Sequence, residues 1–86
     1  FSQAEMNHAN LMNAKGANVN FSSTKLRFAN LSFSRFQNAN LYFTDFNSAN
    51  LFYSWFNFSN LNRTFFQNAD LRCVNFDSTT WKNVHF

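Results

Sequence analysis

The stretch FANLSFSRFQNANLYFTDFNSANLF, residues 28–52, repeats itself with little variation. Ala-Asn-Leu returns every ten residues, at Ala29–Leu31, Ala39–Leu41 and Ala49–Leu51, and Phe36 stands midway between the first two copies. A large apolar residue therefore recurs at every fifth position. Neither the helical period of about 3.6 residues nor the strand period of about 2 accounts for this spacing.

The same spacing extends over the whole chain. The large positions are Phe1, Met6, Leu11, Gly16, Phe21, Leu26, Leu31, Phe36, Leu41, Phe46, Leu51, Phe56, Leu61, Phe66, Leu71, Phe76, Trp81 and Phe86. Only Gly16 breaks the series. Two residues before each large position stands a small or β-branched residue, from Ala4 to Val84. A register kept over the entire length indicates an internal repeat of five residues.

A five-residue period excludes a continuous helix or strand. A helix would turn by about 140° for each step and scatter the large side chains around its axis. A continuous strand would point successive large residues to opposite faces, because five is odd. The pattern is satisfied if each unit is a very short strand followed by a corner. The large residue and the small residue two before it then point inward, and the other three positions face solvent.

The composition of alternate units predicts the size of one coil. From Leu11 to Leu71, Asn or Asp precedes every second large residue, and this large residue is Leu in most of these units, whereas Phe is favoured in the others. Like residues stack on like only if a coil holds an even number of units. Four units, or twenty residues, place Leu31 on Leu51 and Phe36 on Phe56, whereas three units would set Leu against Phe. The sequence therefore predicts an all-β, four-sided parallel coil of about four turns and roughly 20 Å length.

The units quoted above, together with Ala69-Asp70-Leu71, resemble those of pentapeptide repeat proteins over essentially the whole chain. The resemblance implies a right-handed quadrilateral β-helix, and the handedness comes from the resemblance alone. Residues 1–86 are expected to form a single such solenoid, as a segment of a longer protein. Gly16 departs from the pattern, and we expect it to leave a void beside Phe36 and a bulge or looser packing in the first coil.

The polar residues do not form a recognisable catalytic or metal site. Glu5 and Asp45 share a predicted column with Lys25 between them, which is typical of a surface charge ladder. His8 and His85 fall near opposite ends of the coil, too far apart to share a metal ion. The inward hydroxyls are expected to bond the backbone, and Asp70 to bond a turn. We therefore expect no enzyme activity, no cofactor and no metal.

Charge and hydropathy limit the classes of partner. The net charge is +3 and charged residues are 13% of the chain, which is too little to favour strong phosphate or nucleic-acid binding. No apolar run is long enough to cross a bilayer, so no membrane contact is expected. The compartment stays open: a cytoplasmic location is favoured, and secretion within a bacterial effector is the alternative.

The surface feature that calls for an explanation is aromatic. Several large rings fall at outward positions where polar residues would serve. The predicted columns bring part of this set together with arginines on one edge, as a candidate partner-binding surface. Its members are Phe33, Arg35, Phe52, Tyr53, Trp55 and Arg72. Such a composition is typical of interaction hot spots, but stacking between coils that stabilises the surface explains it equally well.

Three interpretations of function follow. The first is a non-catalytic interaction module or scaffold with a protein partner. The second comes from the family resemblance, since some pentapeptide repeat proteins imitate DNA and modulate type II topoisomerases; the basic charge of this chain argues against it. The third is a nucleic-acid-binding surface. In addition, Trp81 and Phe86 would lie exposed at an uncapped end, which predicts a homodimer through the C-terminal end coil.

Overall fold

The protein is a four-sided parallel β-helix. A computed structural model describes all residues 1–86, and it contains neither a helix nor a strand longer than one residue. Single-residue parallel bridges instead join residues twenty apart, from Glu5 with Lys25 to Phe65 with His85. The coils span residues 1–20, 21–40, 41–60 and 61–80, and residues 81–86 begin a fifth. The predicted coil of twenty residues is confirmed.

Each side of a coil has three residues and each corner has two. On a side, the outer two residues point inward and the middle one points outward. The third side comprises residues 14–16, 34–36, 54–56 and 74–76. The corner before it, here the leading corner, comprises 12–13, 32–33, 52–53 and 72–73; the corner after it, the trailing corner, comprises 17–18, 37–38, 57–58 and 77–78.

The corners are tight turns with a positive φ at their second residue. In a typical turn the N–H of Thr44 donates to the carbonyl oxygen of Leu41 at 3.0 Å. The backbone φ is between 55° and 67° at all the second corner residues, from Gln3 to Asn83, and none of them is glycine. A positive φ at this position alone is the signature of a type II turn. The hydrogen bonds between coils therefore hold non-glycine residues in the left-handed region.

The core consists of stacked columns of the large residues. Phe36 and Phe56 lie 5.7 Å apart between ring centroids, and Phe46 and Phe66 lie 5.5 Å apart with nearly parallel planes. Large residues are buried from Phe21 to Phe66. The inward residues of the first coil and those beyond residue 66 are more exposed, which limits the dry core to the middle of the molecule.

Inward hydroxyls bond the backbone, as expected. The Thr44 hydroxyl donates to the carbonyl of Phe21 and that of Thr64 to the carbonyl of Leu41, both at 2.7 Å. Each bond joins one coil to the coil before it. The Ser34 hydroxyl donates instead within its own turn. The narrow interior thus holds polar atoms without leaving these hydroxyls unpaired.

The expected void and bulge at Gly16 are wrong. A Cβ on Gly16 would lie 3.0 Å from Cε1 of Phe36, so the phenylalanine ring already fills the space that the glycine leaves. Register is also kept, because Lys15 and Asn20 pair with residues twenty further on. The smallest residue of the series therefore accommodates a ring from the next coil, and the column stays closed.

The molecule is nearly as wide as it is long. Its principal extents are 26 × 22 × 21 Å, so a single partner can contact the whole length of one outward column. The structure holds no helix able to traverse a bilayer.

Candidate partner-binding surface

Three of the four predicted rings of the surface form a cluster at the leading corner. The Phe33 and Tyr53 rings stack at 5.8 Å with an interplanar angle of 17°. Phe52 meets Phe33 edge-on at 5.7 Å and Tyr53 edge-on at 5.4 Å. The twenty-residue period places Phe33 under Tyr53, and the turn brings Phe52 beside both.

The two arginines of the predicted surface lie over rings. The guanidinium carbon of Arg35 is 4.6 Å from the centre of the Trp55 ring, and that of Arg72 is 5.1 Å from the centre of Phe52. Arg72 also forms a bidentate ion pair with Asp70, at 2.9 and 2.7 Å. This pair lowers the pKa of Asp70 and raises that of Arg72. All six predicted residues are thus brought together, although Arg72 is already engaged.

A shallow groove runs along the coil axis between the ring column and the third side. Its volume is about 330 Å³. One wall carries Phe33 and Tyr53, and the other carries Lys15, Arg35 and Trp55. Phe52 and Arg72 flank the groove without lining it. The groove exists because the residue between the two walls, in each coil, points inward to the core.

The groove carries positive charge that no acid of the protein neutralises. The ion pairs of the structure join Lys25 with Glu5, Arg27 with Asp45, and Arg72 with Asp70. Lys15 and Arg35 belong to none of them. Their charges therefore remain available at the groove for an anionic group.

Asparagine has a regular structural role at the other corners. In the middle coils, backbone acceptors between coils and within turns take every N–H except those of the first corner residues and that of Ala39, which donates to the Ser59 hydroxyl. Where Asn precedes the large residue, its Oδ1 accepts from this N–H, as Asn50 does from Phe52 at 3.0 Å. Asp70 serves Arg72 in the same way, which confirms its expected turn bond. Elsewhere the preceding coil supplies the acceptor, as Asn47 does for Gln67 at 2.8 Å.

The trailing corner lacks these acceptors. The N–H groups of Ala17, Gln37 and Asn57 have no partner within the protein, because Lys15, Arg35 and Trp55 occupy the positions that Asn fills elsewhere. In the same column of side chains, only the last member is Asn, and the N–H of the corner after it is capped. Sequence reasoning missed this row of donors. Its signal was that Ala17, Gln37 and Asn57 have no Asn or Asp two residues earlier and none twenty residues earlier, whereas Arg27 and Gln67, which also lack the first, have Asn7 and Asn47 one coil before them.

Other exposed aromatics predicted from the sequence lie outside this surface. Phe43, Phe65 and His85 form a second group, in which Phe43 meets Phe65 edge-on at 5.7 Å and His85 stacks on Phe65 at 4.7 Å. Phe28 stacks on His8 at 5.1 Å. Neither group combines rings with a pair of free cations as the third side does.

No metal-binding group of His, Cys, Asp or Glu is present in the structure. The expected charge ladder is partly different from its prediction: Lys25 pairs with Glu5 at 3.5 Å, whereas Asp45 turns to Arg27 at 3.9 Å. Cys73 is an exposed free thiol at the leading corner. The polar surface therefore offers binding groups and no evident reactive constellation.

Comparison with known proteins assigns the repeat. The family model described as "Pentapeptide repeats (8 copies)" matches residues 1–27, 17–51 and 56–80. The chain belongs to the pentapeptide repeat family. It matches no functionally curated protein in sequence.

Solved pentapeptide repeat proteins share the fold. One from the cyanobacterium Cyanothece 51142 has 22% identity and a TM-score of 0.54, covering 99% of this chain and 62% of that one. One from the thylakoid lumen of Arabidopsis thaliana has 18% identity and a TM-score of 0.55, covering 95% and 61%. One from Nostoc PCC 7120 has 24% identity and a TM-score of 0.65, covering 95% and 73%.

These likenesses define the fold. Pentapeptide repeat proteins form right-handed quadrilateral β-helices, which supplies the handedness that column spacing alone does not give. The chain spans about three fifths of the length of the first two of these structures.

Proposed function

We propose that the protein is a non-catalytic interaction module that binds a protein partner through the third side and its leading corner. The observation that carries the proposal is the groove itself. Rings on one wall face cations and a tryptophan on the other, on a scaffold whose cross-coil bonds fix both walls. Aromatic and arginine side chains are enriched among the residues that contribute most to protein interfaces, and a rigid scaffold reduces the entropy that is lost when they bind.

The proposal explains two features that stability alone does not. Phe33 and Tyr53 hold bulky rings in the left-handed region, where Asn or Gly would be less strained. Arg35 and Lys15 place two unpaired cations in one outward column of adjacent coils, where like charges repel. A bound partner would contact the rings held at positive φ and would neutralise the two cations.

Selection from a random peptide display library tests the proposal. The wild-type protein and the triple variant Arg35→Ala, Tyr53→Ala, Trp55→Ala are immobilised separately. We expect the wild type to enrich a set of peptides, and the variant to bind that set at least about tenfold more weakly, because it lacks three large contact groups.

A matched variant on another surface controls for general loss of aromatic and cationic area. Tyr42→Ala, Arg63→Ala, Phe65→Ala removes a tyrosine, an arginine and a ring from the opposite part of the coil and should retain the enriched set. Circular dichroism establishes that both variants are folded. Equal retention by the folded third-side variant, or no enrichment on the wild type, contradicts the proposal.

DNA mimicry draws no support from the charge distribution. Three of the four acids pair with cations of the protein, and only Asp77 is free. A row of unneutralised carboxylates imitating phosphates is therefore lacking. A gyrase supercoiling assay should show neither inhibition nor protection.

A further inference from the structure

We infer that the trailing corner, with Lys15 and Arg35 beside it, binds carboxylates of an extended acidic peptide segment. The inference rests on the proposed function, because it concerns the same side of the coil, and it adds the chemistry of the partner. Its basis is the row of free backbone N–H groups and not the aromatic groove.

The donors form a column. Ala17, Gln37 and Asn57 are the first corner residues of three successive coils, and the N–H of each lacks an acceptor in the protein. Of the other first corner residues, only Ser2 and Asn7, both in the first coil, share this condition. The trailing corner is thus the only corner at which the middle coils leave this group free.

The other corners show what belongs at these donors. At eight first corner residues of these corners, and at Asp77 in the last turn of the trailing corner, a carboxylate or amide oxygen from two residues earlier lies 2.9 to 3.2 Å from the backbone nitrogen. Aspartate performs this role as well as asparagine does. A carboxylate supplied by a partner would therefore occupy, at the trailing corner, the place that an internal oxygen occupies elsewhere, and an anionic acceptor strengthens such a bond.

The charges around the column favour an anion. Lys15 and Arg35 stand two residues before Ala17 and Gln37 and have no acidic partner. The nearest acid along the column is Asp77, which stands one coil beyond Asn57 and ends the row. An anion is therefore bound most favourably beside the N–H groups of Ala17 and Gln37.

The dimensions suit an extended peptide. Adjacent coils are separated by about 4.8 Å, so three donors span roughly 10 Å, the length of three or four extended residues. A single strand of nucleic acid fits less well, because its bases need ring faces on which to stack. Phe33 and Tyr53 already stack on each other at 5.8 Å, and Arg35 covers one face of Trp55.

Fluorescence anisotropy with a defined probe tests the inference. The probe is a labelled peptide of alternating Asp and Ser, and its controls are the same peptide with Asn for Asp and a labelled oligothymidylate, all at about 50 mM salt, where surface charges are weakly screened. We expect the wild type to bind the Asp peptide at least about fivefold more tightly than either control, because only the peptide supplies carboxylates to the donors.

Two charge-matched double variants separate the cations from the backbone donors. Lys15→Gln, Arg35→Gln removes both charges and leaves the N–H groups free. Lys15→Asn, Arg35→Asn removes the same charges but supplies internal acceptors to Ala17 and Gln37, since Asn and not Gln bonds the backbone two residues on. We expect the Gln pair to weaken binding of the Asp peptide about fivefold and the Asn pair by about a further threefold. Arg63→Gln, Lys82→Gln, which removes two unpaired cations elsewhere, should change it less than about twofold.

Several outcomes overturn the inference. Equal affinity of the Gln and Asn pairs excludes the backbone donors, equal binding of the Asn peptide excludes carboxylate recognition, and tighter binding of oligothymidylate identifies nucleic acid instead. Another outcome is that the display library enriches peptides that contain no acidic residue and that the third-side alanine variant fails to bind. In that case the inference fails and the proposed function stands. If the Asp peptide behaves as expected but that variant keeps all enriched library peptides, the proposed function fails alone.

Discussion

At the scale of single residues, asparagine acts mainly on the backbone. The coil leaves one N–H in five without a backbone acceptor, and an Asn or Asp side chain supplies it at most corners. The abundance of Asn in the outward columns is therefore a structural requirement of the turns. The chain, with one glycine and no proline, thus relies on side-chain acceptors to complete its turns.

The value of one such bond is testable at Asn50. Asn50→Ala should lower the free energy of unfolding by about 1 kcal/mol, because the N–H of Phe52 then loses its acceptor. Asn75→Ala should cost less than about half of this. Asn57 Oδ1 is buried without a partner one coil earlier, at the position from which Asn47 reaches the next coil, and it can accept from Asp77 instead. Urea denaturation measures both; equal losses would show that Asn57 does not substitute.

The left-handed corner residues provide a second test. Phe58 has a φ of 63°, is 59% exposed and stacks on no other ring. Phe58→Asn should stabilise the protein by about 0.5 kcal/mol, because Asn tolerates this region better and little buried area is lost. Phe28→Asn is the comparison, since it also loses the stack on His8. In thermal unfolding, the melting temperature of Phe58→Asn should be higher than that of the wild type and higher than that of Phe28→Asn. The reverse order would contradict the argument.

At the scale of one column, neighbouring coils fit each other by ring orientation as well as by size. Phe36 lies against Gly16 on one side and stacks on Phe56 on the other. It also meets Phe21 edge-on at 5.3 Å. The glycine is thus matched to a particular ring position.

Gly16→Ala should therefore destabilise the protein, although alanine is the better residue elsewhere. The added Cβ would stand 3.0 Å from the Phe36 ring, which must shift within a closed column, at a cost of about 1 to 2 kcal/mol. The double variant Gly16→Ala, Phe36→Leu should lose less stability than the sum of the losses in the two single variants, because the smaller leucine side chain removes the clash. Additive losses in urea denaturation would show that the two residues do not interact as described.

The repeat register could be predicted because every coil contributes the same evidence. Leu and Phe alternate along the chain, so the twenty-residue stacking of Leu31 and Leu51 could be predicted from their order alone. The stacking of Phe33 under Tyr53 followed from the same period. The fit of Phe36 into Gly16 could not be predicted, since it depends on the tilt of one ring. The row of free N–H groups could have been predicted from the sequence, by identifying the backbone N–H from which each Asn side chain accepts.

At the scale of the whole molecule, stability is unevenly distributed. The middle coils bury their inward residues completely, whereas Phe1 is 64% exposed and Phe86 is 68% exposed. Each coil of a solenoid is stabilised by its two neighbours, and an end coil has only one. Within residues 1–86, the first and last layers are therefore the least buried.

Self-association through the C-terminal layer stays a prediction that this exposure motivates. Trp81 and Phe86 stack on each other at 5.8 Å and form an apolar platform with Phe76. We expect the mass measured by light scattering to rise with protein concentration, and the variant Trp81→Ser, Phe86→Ser to keep the mass of one chain, because burial of the platform drives association. A concentration-independent single-chain mass for the wild type would contradict the prediction.

The unbroken pairing of residues twenty apart restricts how such a protein can evolve in length. Duplicating a block of twenty residues lengthens it and leaves each old neighbour in its place. Losing a block of five between Arg35 and Trp55 would keep the interior apolar but rotate everything downstream by a quarter revolution. Trp55 would then leave the column of Arg35, and a recognition surface could vanish although the chain still folded.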